Sequence, residues 1–328
     1  MCVKHCRKEV FMIPKRIKVA AVQMAAELAE PEKNYIHASQ LIKDAFTRGA
    51  ELVLLPEMFN TAVAYHPKML ESIAASGDKP LKFLSELSRE YNGVIGGSFL
   101  QYDGNDVYNT FYLVFPDGEK YTHRKDLPTM WENCYYTGGD DDGVINTPIG
   151  NIGIVLCWEM IRAQTIKRLM DKVDFILAAS CWWGTPVDQE QRPLDLKNMN
   201  NLRQAPITLS EMLGVPVIHA SHAGTFDGYR PPEEKELKRR QYLGETKIVD
   251  ESGRTKCRLR AEEGAGILVS EIELQKATTY VDCEKLSFWI PEIPEEIMKV
   301  WEEQGEYGKR YYQETTKPYL KGWPEDNK

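Results

Sequence analysis

No apolar stretch of this 328-residue chain is longer than a β-strand, and several strand-sized ones run without polar interruption. Leu52 to Leu55, Ile152 to Leu156, Phe175 to Ala179 and Val215-Pro216-Val217-Ile218 are of this kind, and Ile17 to Val22 carries a single lysine. A strand with one wet face alternates apolar and polar residues, so unbroken runs predict strands buried on both faces. Such strands need a covering layer on each side. A membrane-spanning helix is excluded, because none of the runs approaches the roughly 18 apolar residues it requires.

Helical segments supply the covering. Pro31 opens one in which Tyr35, Ala38, Ile42 and Ala45 recur every three to four residues, and Gly49 closes it. A second follows Pro80, with Leu81, Leu84 and Leu87 on one stripe and Gly93 beyond. The β-α-β-α order then gives way to consecutive strands at Val94 to Phe99, Asn109 to Phe115 and Glu119 to Arg124, with Asp117-Gly118 as a hairpin signal. Val144 to Thr147 is expected to pair with Ile152 to Leu156. Thr165 to Met170 and 196–213 read as helices, two strands flank Asp250 to Gly253, and Ile267 to Ile272 alternates. The mixture predicts an α+β fold in which sheets are covered by helices on their outer faces.

No Gly-, Pro- or Ser-rich linker divides the chain. The expected organisation is an N-terminal extension over 1–15, one domain over 16–290 and a C-terminal helical tail over 291–328. In the tail, Ile297, Val300, Trp301 and Tyr307 mark one helix face, and Glu295, Glu296, Glu302, Glu303 and Glu306 the other. An apolar stripe of this kind seeks a surface, which predicts a homodimer with the tail at or beside the interface.

The formal charge of −8 argues against a nucleic-acid surface. Seven cysteines, an odd number without a repeated Cys-x-x-Cys, read as free thiols in a reducing, cytoplasmic setting. The first 16 residues are basic but no signal-peptide apolar region follows them, and Met12 is an alternative start. His219 and His222 stand at a strand end without companions for a metal. His-Glu-x-x-His, Gly-x-Gly-x-x-Gly and Walker sequences are absent. No metal, dinucleotide or nucleotide cofactor is therefore expected.

Three strand ends carry chemistry. Leu54-Leu55-Pro56-Glu57 places a carboxylate, His123-Arg124-Lys125 a lysine, and Gly153 to Cys157 a cysteine, each directly after a strand. A rigid strand end beside an open loop is where α/β proteins hold reacting groups. A thiol near its ordinary pKa of about 8.5 is a sparse nucleophile at neutral pH. Lys125 would favour the thiolate and then an oxyanion, while Glu57 would take the thiol proton and later activate water. Each residue also has an ordinary reading. Cys157 is a typical buried small residue, Glu57 a turn carboxylate, and Lys125 part of a solvated edge.

Together the three blocks resemble the nitrilase superfamily of carbon–nitrogen hydrolases, which uses a Glu-Lys-Cys triad. Leu-Pro-Glu57, His-Arg-Lys125-x-x-Pro-Thr and Gly-x-x-x-Cys157-Trp-Glu stand in the family's order over about residues 16–280. The resemblance implies a four-layer α-β-β-α sandwich with about six strands per sheet, in subunits that commonly pair through outer helices. It further implies that Glu132 orients the lysine and that the Trp158 backbone N–H joins Lys125 in the oxyanion hole. Trp131, Cys181, Trp182 and Trp183 would line the substrate pocket. Arg162 is a candidate for reaching a substrate carboxylate, with a helix-surface role as the plainer alternative.

The implied activity is hydrolysis of a non-peptide C–N bond in a small amide through a Cys157 thioester. A strict nitrilase is the alternative, although Met160 to Gln164 departs from the pattern that usually follows Cys-Trp-Glu in nitrilases. N-carbamoyl hydrolysis lacks its paired basic residues, and an acyltransferase would use the same thioester with an amine acceptor. The expected substrate is small and mostly uncharged, with aromatic walls around it.

Overall fold

The structure, a computed structural model, describes residues 15–186, 193–230, 232, 234, 236–274 and 276–323. The N-terminal extension, with Cys2 and Cys6, lies outside the described residues apart from Lys15. In chain order the elements are β1 (Arg16–Met24), α1 (Pro31–Thr47), β2 (Leu52–Leu54), α2 (Lys68–Ser76), α3 (Lys79–Tyr91), β3 (Val94–Tyr102), β4 (Val107–Val114) and β5 (Lys120–Arg124). Then come β6 (Val144–Thr147), β7 (Gly150–Leu156), α4 (Ala163–Leu169), β8 (Phe175–Ser180), β9 (Trp183–Pro186), α5 (Pro193–Leu213) and β10 (Val217–His222). The remainder is β11 (Thr225–Gly228), β12 (Lys238–Tyr242), β13 (Gly244–Val249), β14 (Thr255–Arg260), β15 (Gly266–Glu273), α6 (Glu295–Tyr311) and α7 (Lys317–Lys321).

Twelve strands form two six-stranded halves, β15-β1-β2-β3-β4-β5 and β6-β7-β8-β10-β13-β14. In those two orders both halves follow the same pattern of antiparallel, parallel, parallel, antiparallel and antiparallel pairing. They are joined where β1 and β10 pair in parallel at Gln23–Ser221 and Met24–His222. Alternate residues of the central strands point to different cores. Val19, Ala21, Leu54, Ile154, Leu177 and Ile218 meet between the sheets. Ala20 and Val22 face Ala38 and Ile42 of α1, while Val155, Ile176 and Val217 face Leu202 and Leu209 of α5. Burial on both faces is the reason these strands read as unbroken apolar runs. The result is the four-layer α-β-β-α sandwich.

Turn chemistry holds the layers in register. Gly49 takes φ 83° at the end of α1 and its N–H donates to the Phe46 carbonyl, as its place after the helix predicts. Gly93, beyond α3, is required by packing rather than by a turn. The left-handed residue after α3 is Asn92, and Gly93 lies flat against Phe46, whose ring a Cβ would meet at 2.2 Å. Helix α2 and the small sheet β11-β12-β9 have no counterpart in the sequence reading. No helix among the described residues is long and apolar enough to cross a membrane.

The C-terminal helix α6 folds back on its own chain. Trp301 stacks on Trp158 at 5.7 Å and meets Trp289 edge-on at 4.9 Å. Gly308 lies on the turn Met130–Cys134, where a Cβ would come within 2.7 Å of Asn133 Cβ. The apolar stripe used to argue for a homodimer is thus occupied within the subunit.

Candidate active site

The C-terminal ends of β2 and β5 in one half and of β7 and β8 in the other bring Glu57, Lys125, Cys157 and Cys181 to one place. Glu57 is fully buried. Its Oε1 accepts from Lys125 Nζ at 3.0 Å and Asn109 Nδ2 at 2.8 Å, and its Oε2 from the Cys181 N–H at 2.9 Å. Lys125 Nζ also donates to Glu132 Oε2 at 2.8 Å, and that oxygen accepts from the Thr129 N–H at 2.9 Å and the Tyr136 hydroxyl. Lysine and carboxylates thus form one buried chain. Burial pushes the Glu57 carboxyl up against the opposing pull of Lys125. Burial acts to lower the Lys125 pKa, but Glu132 and Glu57 overcome it and hold the ammonium well above its usual range.

Three backbones at the site adopt positive φ without being glycine: Met58 after Glu57, Met130 in the turn of Glu132, and Cys157 itself at 54°. Strain of this kind costs of order 1–3 kcal/mol per residue and persists only where the surroundings enforce it. Here each lies at the abrupt change from extended chain to turn that aims a side chain into the site.

The electrostatics differ from the expectation that Lys125 favours a thiolate. Burial, followed by the negative charge of Glu57, raises the Cys157 pKa well above its ordinary value, and Lys125 only partly offsets them. Burial and the neighbouring Glu57 carboxylate therefore disfavour the thiolate.

Cys157 and Glu132 line a cavity of about 300 Å³, together with Trp131, Trp158, Cys181, Trp182 and Trp183. The aromatic wall consists of two ring pairs: Trp131 lies 5.6 Å from Trp183, and Trp158 5.4 Å from Trp182. Trp182 Nε1 donates to Asn198 Oδ1 at 2.9 Å. Arg162 is a correction, because it neither lines the cavity nor lies on a helix surface. It is fully buried, with NH2 2.7 Å from Asp126 and Nε donating to the Trp158 carbonyl at 3.3 Å. It braces the turn after Cys157.

Further wall residues escaped the sequence reading: Asn198 on α5, Arg230, and Glu296, Ile297, Val300 and Gln304 on α6. Only the tail's apolar stripe hinted at them. Asn109 and Tyr136, which bind the carboxylates, carried no local signal. His219 and His222 are neutral braces: burial lowers their pKa to about 3 and about 4, and His222 Nε2 donates to the Glu57 carbonyl at 2.8 Å.

A second charged network lies behind Cys157. Glu159 accepts from the Leu156 N–H at 2.7 Å and the Asp126 N–H at 3.0 Å, tying the cysteine turn to the lysine loop. His123 bridges Glu159, at 3.1 Å, and Asp141. Burial opposes protonation of His123, but Glu159 and Asp141 outweigh it and raise the pKa to about 9. A raised folded-state pKa stabilises fully below the unfolded value of about 6.5 and is lost as pH climbs through about 9, an effect on the order of 3 kcal/mol. The difference in Tm between wild type and His123→Gln is therefore expected to be widest below pH 6.5 and to narrow towards pH 9 and beyond. Calorimetry across pH 6 to 10 checks it, and a constant difference would refute the imidazolium.

Comparison with known proteins shows the family of the chain. The sequence profile of the family described as carbon-nitrogen hydrolase matches residues 18–281. Over 156 residues the chain is 35% identical to the chloroplastic omega-amidase of Arabidopsis thaliana, covering 43% of this chain and 42% of that one. Over 168 residues it is 30% identical to a nitrilase of Pyrococcus abyssi, covering 49% and 63%. These matches span about four- to six-tenths of the length of the two relatives. Among solved structures, a carbon-nitrogen hydrolase from Helicobacter pylori G27 superposes with a TM-score of 0.68 at 19% identity, covering 79% of this chain and 90% of that one. An amidase from Nesterenkonia sp. AN1, with acrylamide added to its active-site cysteine, gives 0.62 at 16% identity, covering 77% and 92%. At these identities the superpositions speak for the fold alone. With its profile matched from residue 18 to residue 281, the chain belongs to the carbon-nitrogen hydrolase family.

Proposed function

We propose that the protein hydrolyses the C–N bond of a small amide through a thioester on Cys157, releasing ammonia or an amine and a carboxylic acid. The observation that carries this reading is the buried Glu57–Lys125–Glu132 chain set against a cavity that Cys157 lines. Glu57 accepts the thiol proton as Sγ attacks the carbonyl carbon. That transfer adds no net charge to the cluster, which suits a thiol whose own ionisation burial disfavours. Lys125 and the Trp158 N–H stabilise the oxyanion, and Glu132 holds the lysine. The proton on Glu57 passes to the departing nitrogen as the C–N bond breaks. Water then gives a proton to Glu57 and attacks the thioester, the S–C bond breaks, and the thiol recovers the proton.

Cleavage of amides rather than nitriles is supported by the omega-amidase relative and by the departure at Met160 to Gln164. The nitrilase relative favours the second reading, conversion of a nitrile to acid and ammonia. An ammonia-release screen with matched amide and nitrile pairs decides between them. Amide turnover at least about tenfold above nitrile turnover in kcat/KM is expected, and equal or greater nitrile turnover would transfer the assignment. Cytoplasmic residence is supported by five unpaired cysteines among the described residues. A homodimer rests on the family resemblance alone, now that the tail packs on its own chain, and light scattering on the full-length protein tests it.

A further inference from the structure

Asn109 is fully buried on β4, where its carbonyl accepts from the Lys125 N–H at 3.0 Å and its Nδ2 donates to Glu57 Oε1 at 2.8 Å. One residue thus fixes the main chain at the lysine and the side chain of the carboxylate. Its Oδ1 has no hydrogen-bond partner. A buried amide oxygen left unpaired destabilises a fold, so local packing does not account for an asparagine here. A carboxylate offers about four lone-pair sites, two on each oxygen. On Glu57, Oε1 accepts from both Lys125 Nζ and Asn109 Nδ2, while Oε2 accepts only from the Cys181 N–H. Oε1 is filled, and the lone pair without a donor among the described residues belongs to Oε2. That oxygen is held by the backbone of Cys181, which lines the cavity together with Cys157.

We infer that Asn109 is a positioning residue that, together with Lys125, occupies Oε1 of Glu57 and leaves Oε2 to take the proton of Cys157. This role rests on the proposed action of Glu57 as the base. A donor to the ionised carboxylate also stabilises it, so losing Asn109 Nδ2 moves the titration of Glu57 to higher pH. The other titratable groups around Glu57 are Lys125, Glu132, Tyr136, Cys157 and Cys181, with His222 on its main-chain carbonyl. The Asn109 amide makes its one side-chain hydrogen bond to Glu57 and none to these groups.

Iodoacetamide supplies a probe that does not depend on turnover. As it alkylates Cys157, the S–C bond forms, the C–I bond breaks, iodide leaves and the thiol proton passes to Glu57. The rate of this alkylation, followed on the full-length protein in the Cys157 peptide, is expected to fall in wild type as acid protonates Glu57. In Asn109→Leu, whose side chain has the same number of heavy atoms, the fall should come about one pH unit or more higher. Asn109→Ala, which cannot clash, carries the same expectation if leucine is not accommodated. Thr110→Val is the control. Thr110 is the next residue on β4, buried and with its hydroxyl unpaired, and the profile of this variant should match wild type. An unshifted fall in a folded Asn109 variant would make the asparagine merely structural and overturn the positioning role, as would an equal shift in Thr110→Val. A wild-type rate with no fall at low pH would remove Glu57 as the base and overturn the role with it. The expected shift without ammonia release from any amide or nitrile would instead overturn the proposed hydrolysis and leave the role of Asn109 standing.

Discussion

Cys157→Ala is expected to give a folded protein whose amide turnover falls by about 10⁴-fold or more, because no other group supplies the covalent intermediate. Cys157 is 2% exposed at the end of β7, and alanine fits the space left by the smaller change of SH to H. The positive φ at this position strains cysteine and alanine alike, so the backbone has no new reason to move. Ammonia release measures the loss, and a thermal unfolding curve within a few degrees of wild type separates lost chemistry from lost fold. Retention of more than a small fraction of wild-type turnover by a folded Cys157→Ala would remove the cysteine from the mechanism.

Lys125→Met should show a double loss. The ammonium binds Glu57 at 3.0 Å and Glu132 at 2.8 Å, all three side chains being buried or nearly so. Removing it takes away stabilisation of the developing oxyanion, worth about 10²- to 10³-fold in kcat for a single donor and more for a charged one. It also leaves two buried carboxylates facing each other without a cation, at a cost of roughly 3–5 kcal/mol in stability. Glu57→Gln removes the base while keeping the shape, and should reduce kcat by about 10²- to 10⁴-fold with little change in KM. A KM effect with kcat preserved, in either variant, would assign these residues to binding alone.

Much of this arrangement was legible in the chain because its signals are local. A strand-sized run that ends at or just before Glu57, Lys125 or Cys157 marks a strand and the residue at its end together, and two-sided burial is written in the apolar stretches of β2, β7 and β8. Contacts made only in three dimensions were not legible. Arg162 looked like a surface or substrate-facing cation, yet Asp126, which it meets 36 residues away in sequence, buries it. The upward push on the Cys157 pKa was not legible because its main cause is burial, followed by Glu57, and the depth at which the thiol sits emerges only from the packed fold. Helix α6 was legible from its stripe, but the stripe pointed to a dimer interface, whereas Trp301 packs on Trp158 of its own chain.

A thioester at Cys157 is the step on which the proposed chemistry turns, and acid quenching during turnover of a small amide, followed by peptide mass mapping, detects it directly. The peptide containing Cys157 is expected to carry the mass of the acyl group, with the modification lost on treatment with hydroxylamine and absent in Cys157→Ala. An acyl group mapped to Cys134 or Cys181 instead, or persisting in Cys157→Ala, would contradict it.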